Sequence, residues 1–294
     1  MNTLKTTLLM TGMLVLFVSV GYAVGGQDGM VLAFALAAVM NVLTFWFSDK
    51  IVLAMYGARE VGSGQLPRLR GLVETVAASM NLPVPRLYVI DSSSPNAFAT
   101  GRSPRHAAVA VTTGLMELLG DRELKGVIAH ELAHIRNRDT LISVIAATFA
   151  GAIYMLARMA QFAAVFGGSR GGGDRRDGGG LAGALVLAIV APIAALLIQM
   201  AISRSREYEA DQSAGQATGD PLSLASALRL LEAGARTRAM NASPTTAHLF
   251  IVNPLKGGGL MTLFSTHPPI AERIKRLEAQ SGYTAAGSFP RIIR

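Results

Sequence analysis

The chain has 294 residues, a formal net charge of +8, 51% hydrophobic and 16% charged residues, and no cysteine. Its length suits one or two domains, its composition is too apolar for an ordinary soluble domain, and the lack of cysteine excludes disulfides and thiol chemistry. The basic residues are dispersed and no aromatic-flanked basic motif occurs, so the expected partner is a lipid bilayer and not a nucleic acid.

Two uncharged apolar runs open the chain, Thr6 to Gln27 and Gly29 to Ser48. Each matches the roughly 20 residues needed to cross about 30 Å of hydrocarbon. Lys5 gives the first run the positive start of a signal peptide, but the run is long and shows no clear small-x-small cleavage site. Residues 1–48 are therefore expected to form a retained two-helix anchor. The turn Gly25 to Asp28 carries no Lys or Arg, whereas Lys50, Arg59, Arg68 and Arg70 follow the second run. That asymmetry predicts a cytoplasmic amino terminus and a cytoplasmic polar region, with the basic residues near an anionic inner leaflet.

Residues 49–139 form the first polar half. Pro67 to Met80 reads as an amphipathic helix and Pro85 to Ile90 as a strand. Asn96 to Thr100 and Ala107 to Thr112 are β-prone, separated by the turn residues Gly101, Ser103 and Pro104. A helix opens at Thr113, and Asp121 is placed to cap another that runs through His134. Residues 140–203 read as a second membrane hairpin. Its arms are Thr140 to Ala157, ended by Arg158, and Gly178 to Ser203. Its Gly-rich tip, Gly167 to Gly180, is expected to be flexible, although Arg170, Arg175 and Arg176 oppose an outside position. In the second polar half, residues 204–294, Asp220 is expected to cap a helix from Pro221 to Thr237. A last helix is expected within Thr266 to Gln280. Gly257 to Gly259 lacks the Lys-Ser/Thr of a nucleotide site and reads as a loop.

The chemistry is concentrated in His130-Glu131-Leu132-Ala133-His134. On a helix the two histidines stand at i and i+4, one turn apart on one face, where they can share a Zn²⁺ with Glu131 free to act as a base. Alone, the motif also fits a surface helix with two solvated histidines. A hydrolytic zinc needs a third ligand, and Glu207 and Asp211 supply a second i, i+4 pair. One carboxylate can bind the metal while the other takes the second N–H of a ligand histidine. Glu209 falls off that stripe and is expected to be solvated. His106 and His248 match no motif and read as structural or solvated.

These motifs resemble the HtpX branch of membrane zinc endopeptidases, a family related to the CAAX prenyl proteases. The resemblance rests on His130-Glu131-x-x-His134, a hydrophobic hairpin and Glu207-x-x-x-Asp211. Ser94 to Gly101 (Ser-Pro-Asn-Ala-Phe-Ala-Thr-Gly) and Ser265-Thr266-His267-Pro268-Pro269 extend it over nearly the whole chain. It implies an α+β membrane protein with about four transmembrane helices and a mainly helical, zincin-like (gluzincin) cytoplasmic domain with a small β-sheet. It further implies a bacterial inner-membrane, multi-pass protease acting on misfolded or damaged membrane proteins, with one Zn²⁺ per chain and a cytoplasmic active site. By position, His130, His134 and Glu207 would be zinc ligands, Glu131 the general base and Asp211 the partner of a ligand histidine. His267 would steady the oxyanion, with a helix-capping role as its alternative. Asn96, Ala97, Phe98 and Ala99 would meet substrate as an added strand, Asn96 otherwise being a turn residue.

Two rivals differ in what they require. A protease cutting within the bilayer needs its motif inside a span, but Arg122, Glu123, Lys125 and Arg136 to Asp139 flank this one. A non-hydrolytic zinc-binding or zinc-transport protein needs ligands facing a transmembrane path, and the four apolar runs contain no His, Asp or Glu.

Overall fold

The computed structural model describes residues 2–143, 145, 204–237, 251 and 268–282. The expected second membrane hairpin beyond residue 145, its tip, the Gly257 to Gly259 loop, His248 and His267 lie outside them.

The first helical run, α1 (Asn2–Met55), doubles back on itself. Asn41 Nδ2 donates to the Met10 carbonyl at 3.3 Å, across 31 residues. In a straight helix of that separation they would stand roughly 46 Å apart. The reversal falls at Gly26, whose φ of 61° is the left-handed conformation that glycine tolerates. Close approach of the two arms also needs glycine: a Cβ on Gly21 would lie 2.4 Å from Ala33 Cβ. The stretch Gly26–Phe47 is long and apolar enough to cross a membrane, and Thr6–Ser19 is a shorter apolar stretch.

Four strands follow: β1 (Arg59–Glu60), β2 (Arg86–Ile90), β3 (Ala97–Gly101) and β4 (Ala107–Thr112). They form one mixed sheet in the order β1-β2-β4-β3, with β2 parallel to β4 and the other neighbours antiparallel. Both faces are covered. Leu87, Ala99, Val109 and Val111 join the core of the helical layer, while Tyr88, Ile90, Phe98 and Ala110 pack on Val52 and Leu53 at the end of α1. Burial on both faces explains why β4 is an unbroken run of small and β-branched apolar residues.

The helical layer contains α2 (Pro67–Ser79), α3 (Thr113–Leu118), α4 (Asp121–Asn137), α5 (Arg204–Thr218), α6 (Pro221–Thr237) and α7 (Ile270–Gln280). α4 is its axis. Val127, Ile128 and Leu132 are fully buried, each worth about 1.5–3 kcal/mol as an apolar side chain removed from water. Gly126 lets α6 come close, since a Cβ there would sit 2.7 Å from the Leu224 amide. Asp121 is not the cap expected of it. Gly120 holds the N-cap position, and Asp121 begins the helix as an acidic first-turn residue paired with Arg68. Asp220 does precede α6, and its carboxyl is held low by Arg122, assisted by the Ser223 and Leu222 amides.

α4 stops at Arg138, a non-glycine residue at φ 60° whose N–H returns to the Ile135 carbonyl. A new helical stretch begins at Asp139. This break turns Asp139 back toward the preceding turn.

Candidate metal centre

The helical repeat of α4 puts His130 and His134 on one face, with their Nε2 atoms 3.2 Å apart. Glu207 crosses from the first turn of α5. Its Oε2 lies 3.6 Å from His130 Nε2 and its Oε1 3.5 Å from His134 Nε2. The donor atoms of all three residues lie within 4.8 Å of one another. A tetrahedral ion with Zn–N bonds of 2.0–2.1 Å sets neighbouring ligand atoms about 3.4 Å apart, so the spacing suits such an ion.

The second nitrogen of each histidine faces a carboxylate. His130 Nδ1 is 2.9 Å from Asp211 Oδ1, and His134 Nδ1 is 3.3 Å from Asp139 Oδ2. With Nδ1 protonated and bonded outward, each imidazole turns the Nε2 lone pair toward Glu207. Asp211 is gripped in turn by the wholly buried Arg273, whose Nε and Nη2 donate to its two oxygens at 2.8 and 2.7 Å. Arg273 Nη1 donates to the Ile251 carbonyl, and the Ile251 amide donates to Asn96 Oδ1, both at 3.3 Å. A buried relay of hydrogen bonds thus joins the start of β3 to His130. On the other side, Arg206 Nη1 lies 3.5 Å from Asp139.

Charge supports the same reading. Glu131, Glu207, Asp211 and Asp139 are buried with Arg206 and Arg273. With neutral histidines this leaves two negative charges, which a divalent cation offsets. Among the protein groups alone, burial works to depress His130. Its bonds to Asp211 and Glu207 outweigh that and push its pKa up to about 9. Burial would raise Asp211, but the Arg273 charge and hydrogen bonds hold it below the usual carboxylate range. Burial raises Glu131 above that range, against the pull of His130 and His134.

Glu131 accepts the Ala99 amide at 2.8 Å. That contact sets the outer backbone edge of β3 against α4. β3 is the edge strand of the sheet, but all five of its residues are buried, because α4 and the end of α1 pack against them. Asn96 is buried at its head, with its amide on Thr112 Oγ1 and its side chain on residue 251. It is therefore a tether between distant segments and not a turn residue bonded to its own backbone. Glu209 is exposed, as its register requires, and His106 is exposed with Nδ1 3.0 Å from Ser103 Oγ.

Three residues of the centre escaped the sequence reading: Asp139, Arg206 and Arg273. Arg273 did leave a signal. Ile270, Arg273, Ile274 and Leu277 share the i, i+3, i+4, i+7 stripe of an amphipathic helix. An arginine on that stripe needs a buried acid. Asp139 left none, because helical periodicity continued past His134 does not bring residue i+5 back to it.

The sequence model of Peptidase family M48 matches residues 64–281. "Protease HtpX homolog" of Syntrophobacter fumaroxidans is 55% identical over 276 residues, covering 94% of this chain and 98% of that protein. The protein of the same description from Thermodesulfovibrio yellowstonii is 54% identical over 281 residues, covering 96% of this chain and 99% of its own. Among solved structures, S. mikatae Ste24p shares the fold with a TM-score of 0.53 at 20% identity; the likeness covers 94% of this chain and 64% of that one.

Proposed function

The chain belongs to peptidase family M48 and is a metalloprotease, and from that premise we propose a zinc endopeptidase at the cytoplasmic face of a bacterial inner membrane, acting on unfolded or damaged membrane proteins. The observation that carries the site assignment is the convergence of His130, His134 and Glu207, with an outward carboxylate on each histidine. Zinc held there would supply a Lewis acid for the scissile carbonyl and lower the pKa of a water toward about 7.

The chain's own residues do the rest. Glu131 takes the proton of the attacking water and delivers it to the leaving amine. Substrate runs along β3 as an added strand beside Ala97, Phe98 and Ala99, with Asn96 fixing the strand's start. Pairing there replaces Glu131 on the Ala99 amide, releasing the carboxylate as the peptide arrives. His267, just ahead of α7, donates to the developing oxyanion.

The membrane reading places α1 in lipid as two spans, followed by a second hairpin over residues 140–203 that brings residues 49–139 and 204–294 to the same side. Support comes from the apolar side chains that α1 turns outward, such as Leu32, Leu36 and Val39, and from the basic residues after its end. A cysteine at Gln27 should react with an impermeant thiol reagent outside intact cells and one at Ser63 should not; the reverse pattern turns the site outward.

The decisive experiment compares wild type with Glu131→Gln in detergent, reading bound zinc and casein cleavage together. The expected variant keeps zinc and loses hydrolysis, by on the order of a hundredfold or more for a lost acid–base group. Wild-type turnover in Glu131→Gln removes Glu131 as the base, and a protein that binds zinc yet never cleaves favours the non-hydrolytic alternative.

A further inference from the structure

A cavity of about 570 Å³ lies where α1 ends and the sheet begins, remote in sequence from the metal centre's ligands. Trp46 and Phe47, the last residues of the apolar stretch, form one wall. Lys50, Arg86, Arg102 and Arg105 bring four cations into it, with His106 beside them, and Asp49 is its one carboxylate among the described residues. Asp49 is already paired with Arg86. Lys50, Arg102 and Arg105 have no ion-pair partner among the described residues, so the cavity holds uncompensated positive charge. Two of these cations are set against aromatic rings. The Arg102 guanidinium lies 4.5 Å from the Trp46 ring centre and also donates to the Trp46 carbonyl at 3.2 Å, while Lys50 Nζ lies 5.5 Å from the Phe47 ring centre.

We propose that this cavity binds the phosphate headgroup of an anionic membrane phospholipid. Position and charge select this occupant together. Trp at the end of an apolar span sits at headgroup level, and a basic pocket at that level collects anionic headgroups. The acyl chains have a surface to lie on, because Val39, Val42 and Leu43 on the same arm of α1 are 47–57% exposed. Arg102 and Arg105 hold the phosphate oxygens and Lys50 adds its charge from the helix end. The inference rests on the reading of α1 as a membrane anchor.

The test uses the full chain in nanodiscs of phosphatidylcholine with a minority of phosphatidylglycerol, counting retained phosphatidylglycerol by native mass spectrometry. Each basic residue near an anionic surface is worth about fivefold in affinity, so the Arg102→Ala/Arg105→Ala variant should need about 25-fold more phosphatidylglycerol to reach the same occupancy. A charge-matched Arg122→Ala/Lys125→Ala variant, altered on α4 away from the cavity, should retain as much as wild type. Lys50→Glu gives an independent check on a single exposed side chain and should also lose lipid. Equal retention in all variants overturns the proposal, as does displacement of the lipid by inorganic phosphate at a comparable concentration, which would mark a site for the free anion. Alkaline carbonate extraction separates the two readings. Protein that stays in washed membranes without preferring phosphatidylglycerol overturns the cavity's role alone, whereas protein that washes off overturns the anchor as well.

Discussion

His130 and His134 stand one turn apart on the same helix, yet they are supported in unlike ways. His130 has a side chain 2% exposed and leans on Asp211, which Arg273 grips with two hydrogen bonds from another helix. His134 has a side chain 16% exposed and leans on Asp139, five residues further along the chain, at a longer 3.3 Å. One support assembles only when α4, α5 and α7 pack together. The other starts from the break of α4 at Arg138 and is backed from α5 by a single, longer contact to Arg206. The comparison teaches that one side of the centre hangs on a twice-bonded arginine from a distant helix, and the other on a break in its own helix with a weaker tertiary contact behind it.

The strongest way to break this comparison is at Arg273. Arg273→Ala leaves Asp211 buried with its charge facing only His130, and losing one partner of a buried ion pair costs about 3–5 kcal/mol. Thermal unfolding should show a large fall in Tm, together with loss of bound metal. A Tm within error of wild type would mean that Arg273 is not the support described.

pH sharpens it next. The His130 pKa stands at about 9 in the folded chain, against about 6.5 unfolded. Folding therefore binds a proton in that window. The resulting stabilisation is complete below about pH 6.5 and is lost as pH rises through about 9. Chelator-treated protein should lose Tm across this range. Zinc-loaded protein should lose less, because the metal displaces the proton. Asp211→Asn should flatten the profile and Asp139→Asn should not; equal flattening by both would place the proton on neither side in particular.

The smallest effect is expected at Asp139 itself. Asp139→Asn keeps the side chain's shape and an acceptor for both His134 Nδ1 and Arg206 but removes a charge facing Arg206, so Tm should fall, though less than in Arg273→Ala. Zinc affinity should fall about tenfold, the low end for a residue that orients a ligand. Competition with a fluorescent zinc chelator measures it. A loss matching that of Asp211→Asn would erase the distinction between the two supports.

Local elements were readable because their signals are local. Ala107 to Thr112 is a strand and Pro67 opens a helix, as the apolar pattern and the proline predict. The register that separated Glu207 from Glu209 follows from the helical period alone, and the structure buries the first and exposes the second. The reversal of α1 was legible in the glycines between its two apolar runs. The edge strand was legible only in part. Its length and place in order could be read, but its burial depends on α4 and α1 arriving from opposite sides.

What the sequence determined by itself was the set of candidate groups, two histidines and two carboxylates each a helical turn apart, with the choice of Glu207 over Asp211 as ligand resting on the family resemblance. The separations of His130, His134 and Glu131, and of Glu207 and Asp211, are fixed by helix geometry within each segment, so spacing suffices to put these groups on shared faces. What tertiary structure decided was which acid serves which histidine and what secures that acid. Asp139 reaches His134 only because the chain turns through a left-handed residue at Arg138. Arg273 reaches Asp211 across 62 residues only because α5 and α7 pack together. Neither contact has a period to betray it, since a buried charge finds its partner through space and not along the chain.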